Sequence, residues 1–127
     1  MEKLTYKDVI EITKDRYHNI PTLRSKKGFR CEYFNENGNK CAVGHFLIEE
    51  NFNKDLMNDE AINMLLLNNE DYEKYMHESV RHLQNIDFWD DLQFFHDIDH
   101  FWDENGLTEE GFERYNKLIN NYANQEI

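Results

Sequence analysis

The chain has 127 residues, enough for one domain with a real core. Nine Phe, seven Tyr and two Trp mark it as globular, and its longest apolar run, Met64-Leu65-Leu66-Leu67, is far too short to span a bilayer. A net charge of −12 argues against general nucleic-acid binding, because a phosphate backbone would be repelled. The charge is uneven. Residues 1–30 hold eight Lys/Arg against four Asp/Glu, so that segment is net +4 and the remainder −16. An acidic bulk of this kind keeps a protein in solution, or presents a face to a basic partner. The basic stretch Arg24-Ser25-Lys26-Lys27-Gly28, with Arg30 beyond it, is the place where an anion such as a small nucleotide-like ligand would be held. Residues 1–12 are charged and amphipathic, so no export leader is expected, and two cysteines without one point to a reducing cytosol.

In chain order, Thr5 with Asp8 three residues on predicts a capped helix. Tyr6, Val9, Ile10, Thr13 and Tyr17 form its apolar stripe. The helix should stop near His18, ahead of Pro21, and His18 reads as a surface side chain. A basic loop over 18–28 leads into the most distinctive stretch, residues 29–46. There Phe29, Cys31 and Tyr33 alternate with Arg30 and Glu32, the period of a half-buried strand. Glu36-Asn37-Gly38 is a turn signal, and Lys40-Cys41-Ala42-Val43 reads as the return strand. A three-residue loop pairs Tyr33 with Cys41 and Cys31 with Val43, which gathers the apolar side chains on one face. That register leaves the two cysteines diagonal, roughly 7–8 Å apart. A disulfide needs less than about 7 Å between Cα atoms, so two thiols are expected.

Gly44 ends the return strand and turns the chain into a helical turn or two over 45–50. Residues 51–57 read as irregular. Asn58 then caps a helix that carries Ala61, Ile62, Leu65 and Leu66 inward, and Asn68-Asn69 interrupts it. A further helix is predicted over 70–85, with Tyr72, Tyr75 or Met76, Ser79-Val80 and Leu83 on one stripe and His77 and His82 exposed. Asp87 is the expected cap of an aromatic-rich helix running to Trp102, buried along Phe88, Leu92, Phe95 and Trp102 with Asp99 nearby. Asn105-Gly106 breaks it. Thr108 caps the last helix, whose buried side is Phe112, Tyr115, Leu118 or Ile119, and Tyr122. The fold class is α+β: about five helices packed on one small antiparallel β-hairpin, in a single domain over 1–127. A lone hairpin is marginal, so its apolar face should lie on the aromatic helix.

Two constellations could carry chemistry. Cys41 at a strand-to-helix corner, with His96 as base and Asp97 or Asp99 orienting it, would generalise the triad arrangement of a hydrolase or transferase. The alternative is a packed histidine donating to a neighbouring carboxylate. His96 and His100, four residues apart on one predicted helix, have a spacing that can bind a metal. No third ligand is marked, and the ten-residue separation of the cysteines fits no zinc-finger spacing. No motif implies a cofactor.

The order Cys31-x-Tyr33, Gly38-x-Lys40-Cys41-Ala42-Val43-Gly44, then Leu92-Gln93-x-x-His96-Asp97 resembles a family of short, uncharacterised bacteriophage and bacterial proteins. Phe34 stands where that family's pattern has Arg, and Glu49-Glu50 where it has Pro-Asp. The resemblance implies a phage-type accessory protein acting in the host cytosol, with no established activity. It nominates Cys31, Tyr33, Cys41, Gly44, Gln93, His96 and Asp97 as one cluster. The expected function is to bind and inhibit or sequester a host factor, either a defence protein or its small signalling ligand. Catalysis through Cys41 and His96, or a metal on His96 and His100, are the alternatives. Self-association is left open.

Overall fold

A computed structural model describes residues 3–20, 26–27, 30–31, 33–34, 40–53 and 62–125, with backbone alone at 26–27, 30–31 and 63. Among these residues the chain is mostly helical with small antiparallel ribbons. Helix α1 spans Tyr6–Asn19, α2 Asn69–Tyr75, α3 Ile86–Asp97 and α4 Glu109–Tyr122. A single helical turn at Ile62–Leu65 stands in for a fifth helix. Strand β1 (Lys26–Lys27) pairs with β2 (Arg30–Cys31), and β3 (Trp102–Asp103) with β4 (Gly106–Leu107).

Local chemistry sets the helix starts. The Thr5 hydroxyl accepts from Asp8 N at 3.1 Å while the Asp8 carboxylate accepts from Thr5 N at 2.9 Å, a complete capping box. All five residues of the predicted α1 stripe are buried. Asn68 caps α2 and Thr108 caps α4. The cap of α3 is Asn85 rather than Asp87; its side chain accepts from the N–H groups of Asp87 and Phe88. Asp87 sits in the first turn, where a carboxylate still suits the helix dipole.

The helix predicted over 70–85 is cut short. Met76 pairs with Leu47, and the N–H of His77 donates to Phe46 O at 2.8 Å. These tertiary backbone bonds draw the chain out of helix after Tyr75. Val80 and Leu83 still reach the core, from turns. His82 is half-buried, not exposed, with Nε2 on Leu4 O at 2.7 Å.

Two aromatic knots tie the core together, the first among α1, α3 and α4 and the second among α1, α3 and β3. At one, Phe88 lies 4.5 Å from Tyr6 and 5.1 Å from Tyr122, ring to ring. At the other, Trp102 packs on Tyr17 and Phe95, and its indole N–H donates to Phe95 O at 2.8 Å. Trp102 belongs to β3, because α3 ends at Asp97. The chain then turns tightly through Glu104-Asn105, with Gly106 at φ +111°. His18, expected at the surface, is half-buried: its Nδ1 accepts from Leu107 N at 2.9 Å and ties β4 to the end of α1.

Phe112 is 41% exposed, contrary to its predicted burial, while Gly111 is buried. A β-carbon on Gly111 would overlap the Phe101 carbonyl and the Leu107 side chain. Contact at Gly111 brings α4 close to the 3₁₀ turn Asp99–Phe101, and Phe112 is rotated outward.

Candidate functional site

The hairpin around Cys41 differs from its prediction in an instructive way. Cys31 pairs with Lys26, not with Val43, so β2 continues the basic stretch behind it. Phe34 nonetheless bridges to Lys40, and Cys41 N donates to Tyr33 O at 3.1 Å. That is the three-residue-loop register expected for Tyr33 and Cys41. The ladder then stops, because Ala42 and Val43 turn. Cys41 O accepts from His45 N at 3.0 Å, and the chain enters the 3₁₀ turn Gly44–Phe46. Turn formation consumes the backbone groups a return strand would have used.

Cys41 is a fully buried thiol. Its Sγ accepts from Gly44 N at 3.2 Å, in the manner of a side-chain cap on the turn. Gly44 is required here by contact: a β-carbon would overlap the Tyr33 carbonyl. Val43 N donates to Gln93 Oε1 at 3.3 Å, and Gln93 Nε2 donates to Asp97 Oδ1 at 2.7 Å. The same Asp97 oxygen lies 2.8 Å from His96 Nδ1, so that nitrogen carries the proton. Tyr17 closes the group, its hydroxyl donating to Lys40 O at 2.5 Å and its ring edge-on to the His96 imidazole, 5.0 Å away.

Tyr33, Cys41, Gly44, Gln93, His96 and Asp97 therefore fall in one connected network joining the 40–44 turn to the end of α3. The side chains of Cys31, Lys26, Lys27 and Arg30, and all of Arg24, lie outside the described residues. Asp99 and His100 lie beyond the end of α3. They are exposed in the 3₁₀ turn after α3, so the predicted single helix face for His96 and His100 is not formed. Among the described residues no group of three or more His, Cys, Asp or Glu is placed to hold a metal ion.

Chemically the network resembles half a triad: a carboxylate orienting an imidazole. Cys41 and His96 are each 0% exposed, however, and Asp97, with 29% of its side chain exposed, is the member nearest water. The arrangement braces the turn against α3.

Two features had no clear sequence signal. Half-buried His45 is pushed down to about 4, first by burial and then by the Arg16 and Lys40 cations. Those three residues come from separate segments, and only folding assembles them. The second feature is a surface chain of contacts. The Tyr122 hydroxyl bonds Asp91, Asp91 lies 3.9 Å from Arg114, and the Arg114 guanidinium sits 5.0 Å over the Phe94 ring. Burial and the Asp91 contact both raise the Tyr122 phenol.

The architecture is thus a helical α+β domain with a buried polar brace and a strongly acidic α3–α4 side. No family model matches the chain, and no curated protein or solved structure shows significant similarity to it. Among the described residues no helix is long and apolar enough to cross a membrane.

Proposed function

We propose that this protein is a binding module whose acidic α3–α4 side captures a basic partner, and that the Cys41–His96 network is its internal brace. One observation carries the reading. Residues 86–125 hold ten Asp/Glu against two Lys/Arg, a net of −8 out of the chain's −12. The excess runs along α3 and the turns that follow it, while α4 is nearly balanced, with three Glu against Arg114 and Lys117; charge of one sign gathered on a segment steers an oppositely charged protein at long range. Phe94, 46% exposed on α3 beneath the Arg114 guanidinium, supplies apolar contact that charge alone lacks. The resemblance to phage proteins suggests that the partner is a host factor, inhibited or sequestered by occupancy.

Burial supports the bracing role for Cys41 and His96. A nucleophile and base that both lie beneath the surface cannot meet a substrate without an opening of the fold.

The test is capture from host lysate at low and high salt, repeated with Cys41→Ser and His96→Gln. Salt-sensitive capture that survives both substitutions supports the module. A phage-protection phenotype lost in a folded Cys41→Ser protein, with capture intact, would instead establish the hydrolase or transferase reading.

A further inference from the structure

We infer that Arg16, Lys40 and His45 form an anion site that takes the phosphate group of a small soluble molecule. Its charge is opposite to that of the acidic segment along α3, and it stands whether or not that segment captures a partner. The three side chains come from two pieces of chain tied together at Tyr17. The Tyr17 hydroxyl donates to Lys40 O at 2.5 Å, which fastens the start of the 40–45 turn to the end of α1. The Arg16 guanidinium sits 5.7 Å from the Tyr17 ring centroid, and the Lys40 ammonium 5.9 Å from that of Phe34. At the other end of the turn, His45 N donates to Cys41 O at 3.0 Å. All three side chains are half-buried.

The sign of the cluster is uniform. Among the described residues no carboxylate pairs with Arg16, Lys40 or His45. Asp15, the acid beside Arg16 in sequence, is engaged by Lys14 at 2.6 Å. The positions three and four residues from Arg16 are Ile12, Thr13, Asn19 and Ile20, none of them acidic. Glu49 and Glu50, the acids that follow His45, are exposed on the next 3₁₀ turn. Arg16 Nε is buried with no hydrogen-bond partner among the described residues, so the fold does not use all the donors of this guanidinium.

The described charges that act on the His45 imidazole are Arg16 and Lys40, and both oppose its protonation. Like charges gathered without a counter-ion repel, most of all where water is partly excluded, and a bound dianion reverses that effect. The surrounding chain has the same sign. Residues 16–45 hold six Lys/Arg against two Asp/Glu, a net of +4 in a protein of −12. That local field draws an anion which the rest of the surface repels. Two charges on the ligand balance the two fixed cations, which favours a phosphate over a carboxylate. The guanidinium supplies paired N–H groups, the ammonium a point charge, and the neutral imidazole one further N–H.

The probes are inorganic phosphate and sulfate, with chloride at matched ionic strength as the control. Resonances of Arg16, Lys40 and His45 should shift with the two dianions and not with chloride. The His45 midpoint, about 4 in the free protein, should rise towards the ordinary 6.5 in saturating sulfate, which keeps both charges over this range. Arg16→Gln and Lys40→Gln should each weaken phosphate binding about tenfold, the scale of one charge-assisted bond. Lys117→Gln, which changes net charge equally at an exposed position of α4, should leave it unchanged. Equal weakening by Lys117→Gln, an equal response to chloride, or an unmoved His45 midpoint would overturn the site. An Arg16→Gln protein that melts earlier yet binds phosphate as before would make Arg16 a partner of the α1 C-terminal dipole, which also overturns it. Binding to vesicles of anionic phospholipid, with none to free phosphate, would give the cluster to a membrane surface and overturn the small ligand.

Discussion

The N–H of Val43 donates to the side chain of Gln93, a residue fifty positions further along the chain. The same carboxamide donates onward to Asp97, so one side chain joins the 40–44 turn, the end of α3 and the His96 imidazole.

Replacing that amide tests the brace. Gln93→Leu keeps the volume, strands the buried Val43 N–H and removes a donor from Asp97. An unsatisfied buried donor costs about 1–3 kcal/mol. Urea unfolding should show a midpoint shift of that size with an unchanged slope. A loss under about 0.5 kcal/mol, the scale of an ordinary surface substitution, would count against the network as a structural element.

Two glycines are fixed by close approach. Gly44→Ala drives a methyl group into the Tyr33 carbonyl, and Gly111→Ala does the same at Phe101. Backbone atoms cannot step aside as a flexible side chain can. Each variant should lose about 2 kcal/mol or more, read as a drop in thermal midpoint.

His45 gives a pH signature. Its folded value of about 4 lies below the ordinary 6.5 because burial, then Arg16 and Lys40, disfavour the imidazolium. The unfolded chain therefore takes up this proton first as pH falls. The contribution to stability is complete above about pH 6.5 and is lost on descent towards pH 4. With partial solvent screening the loss should be about 1–2 kcal/mol. The difference in unfolding free energy between native protein and His45→Gln should narrow by that amount over this range. A constant difference would show that His45 does not sense the two cations.

The Cys41 thiol should be shielded. In a Cys31→Ser background, thiol labelling of Cys41 should track unfolding, and denaturant should accelerate it steeply, because the sulfur is 0% exposed and accepts from Gly44 N. Rapid labelling of the native protein would reveal access to the sulfur and revive the nucleophile reading.

Tyr122→Phe removes the hydroxyl that bonds Asp91. A partly exposed charge-assisted bond is worth about 1 kcal/mol. Because Asp91 also draws Arg114 towards Phe94, the variant should alter the Phe94 and Arg114 resonances as well as stability. Unmoved Phe94 signals would separate the two contacts.

Much of this was legible in the chain itself, because it depends on neighbours in sequence. Thr5 with Asp8 fixed the start of α1, Thr108 that of α4, and the stripe from Tyr6 to Tyr17 fixed which side of α1 is buried. The motif order also brought Tyr33, Cys41, Gly44, Gln93, His96 and Asp97 into consideration together. Tertiary contact decided the rest. Backbone pairing of Leu47 with Met76 ended one helix, and the close packing of Gly111 on Phe101 turned Phe112 outward. Ending α3 at Asp97 put His100 and Asp99 off its face. Capping and periodicity are short-range and written in consecutive residues. Where a helix stops, and which sulfur or imidazole is sealed from water, depends on groups that meet only when the whole chain is packed.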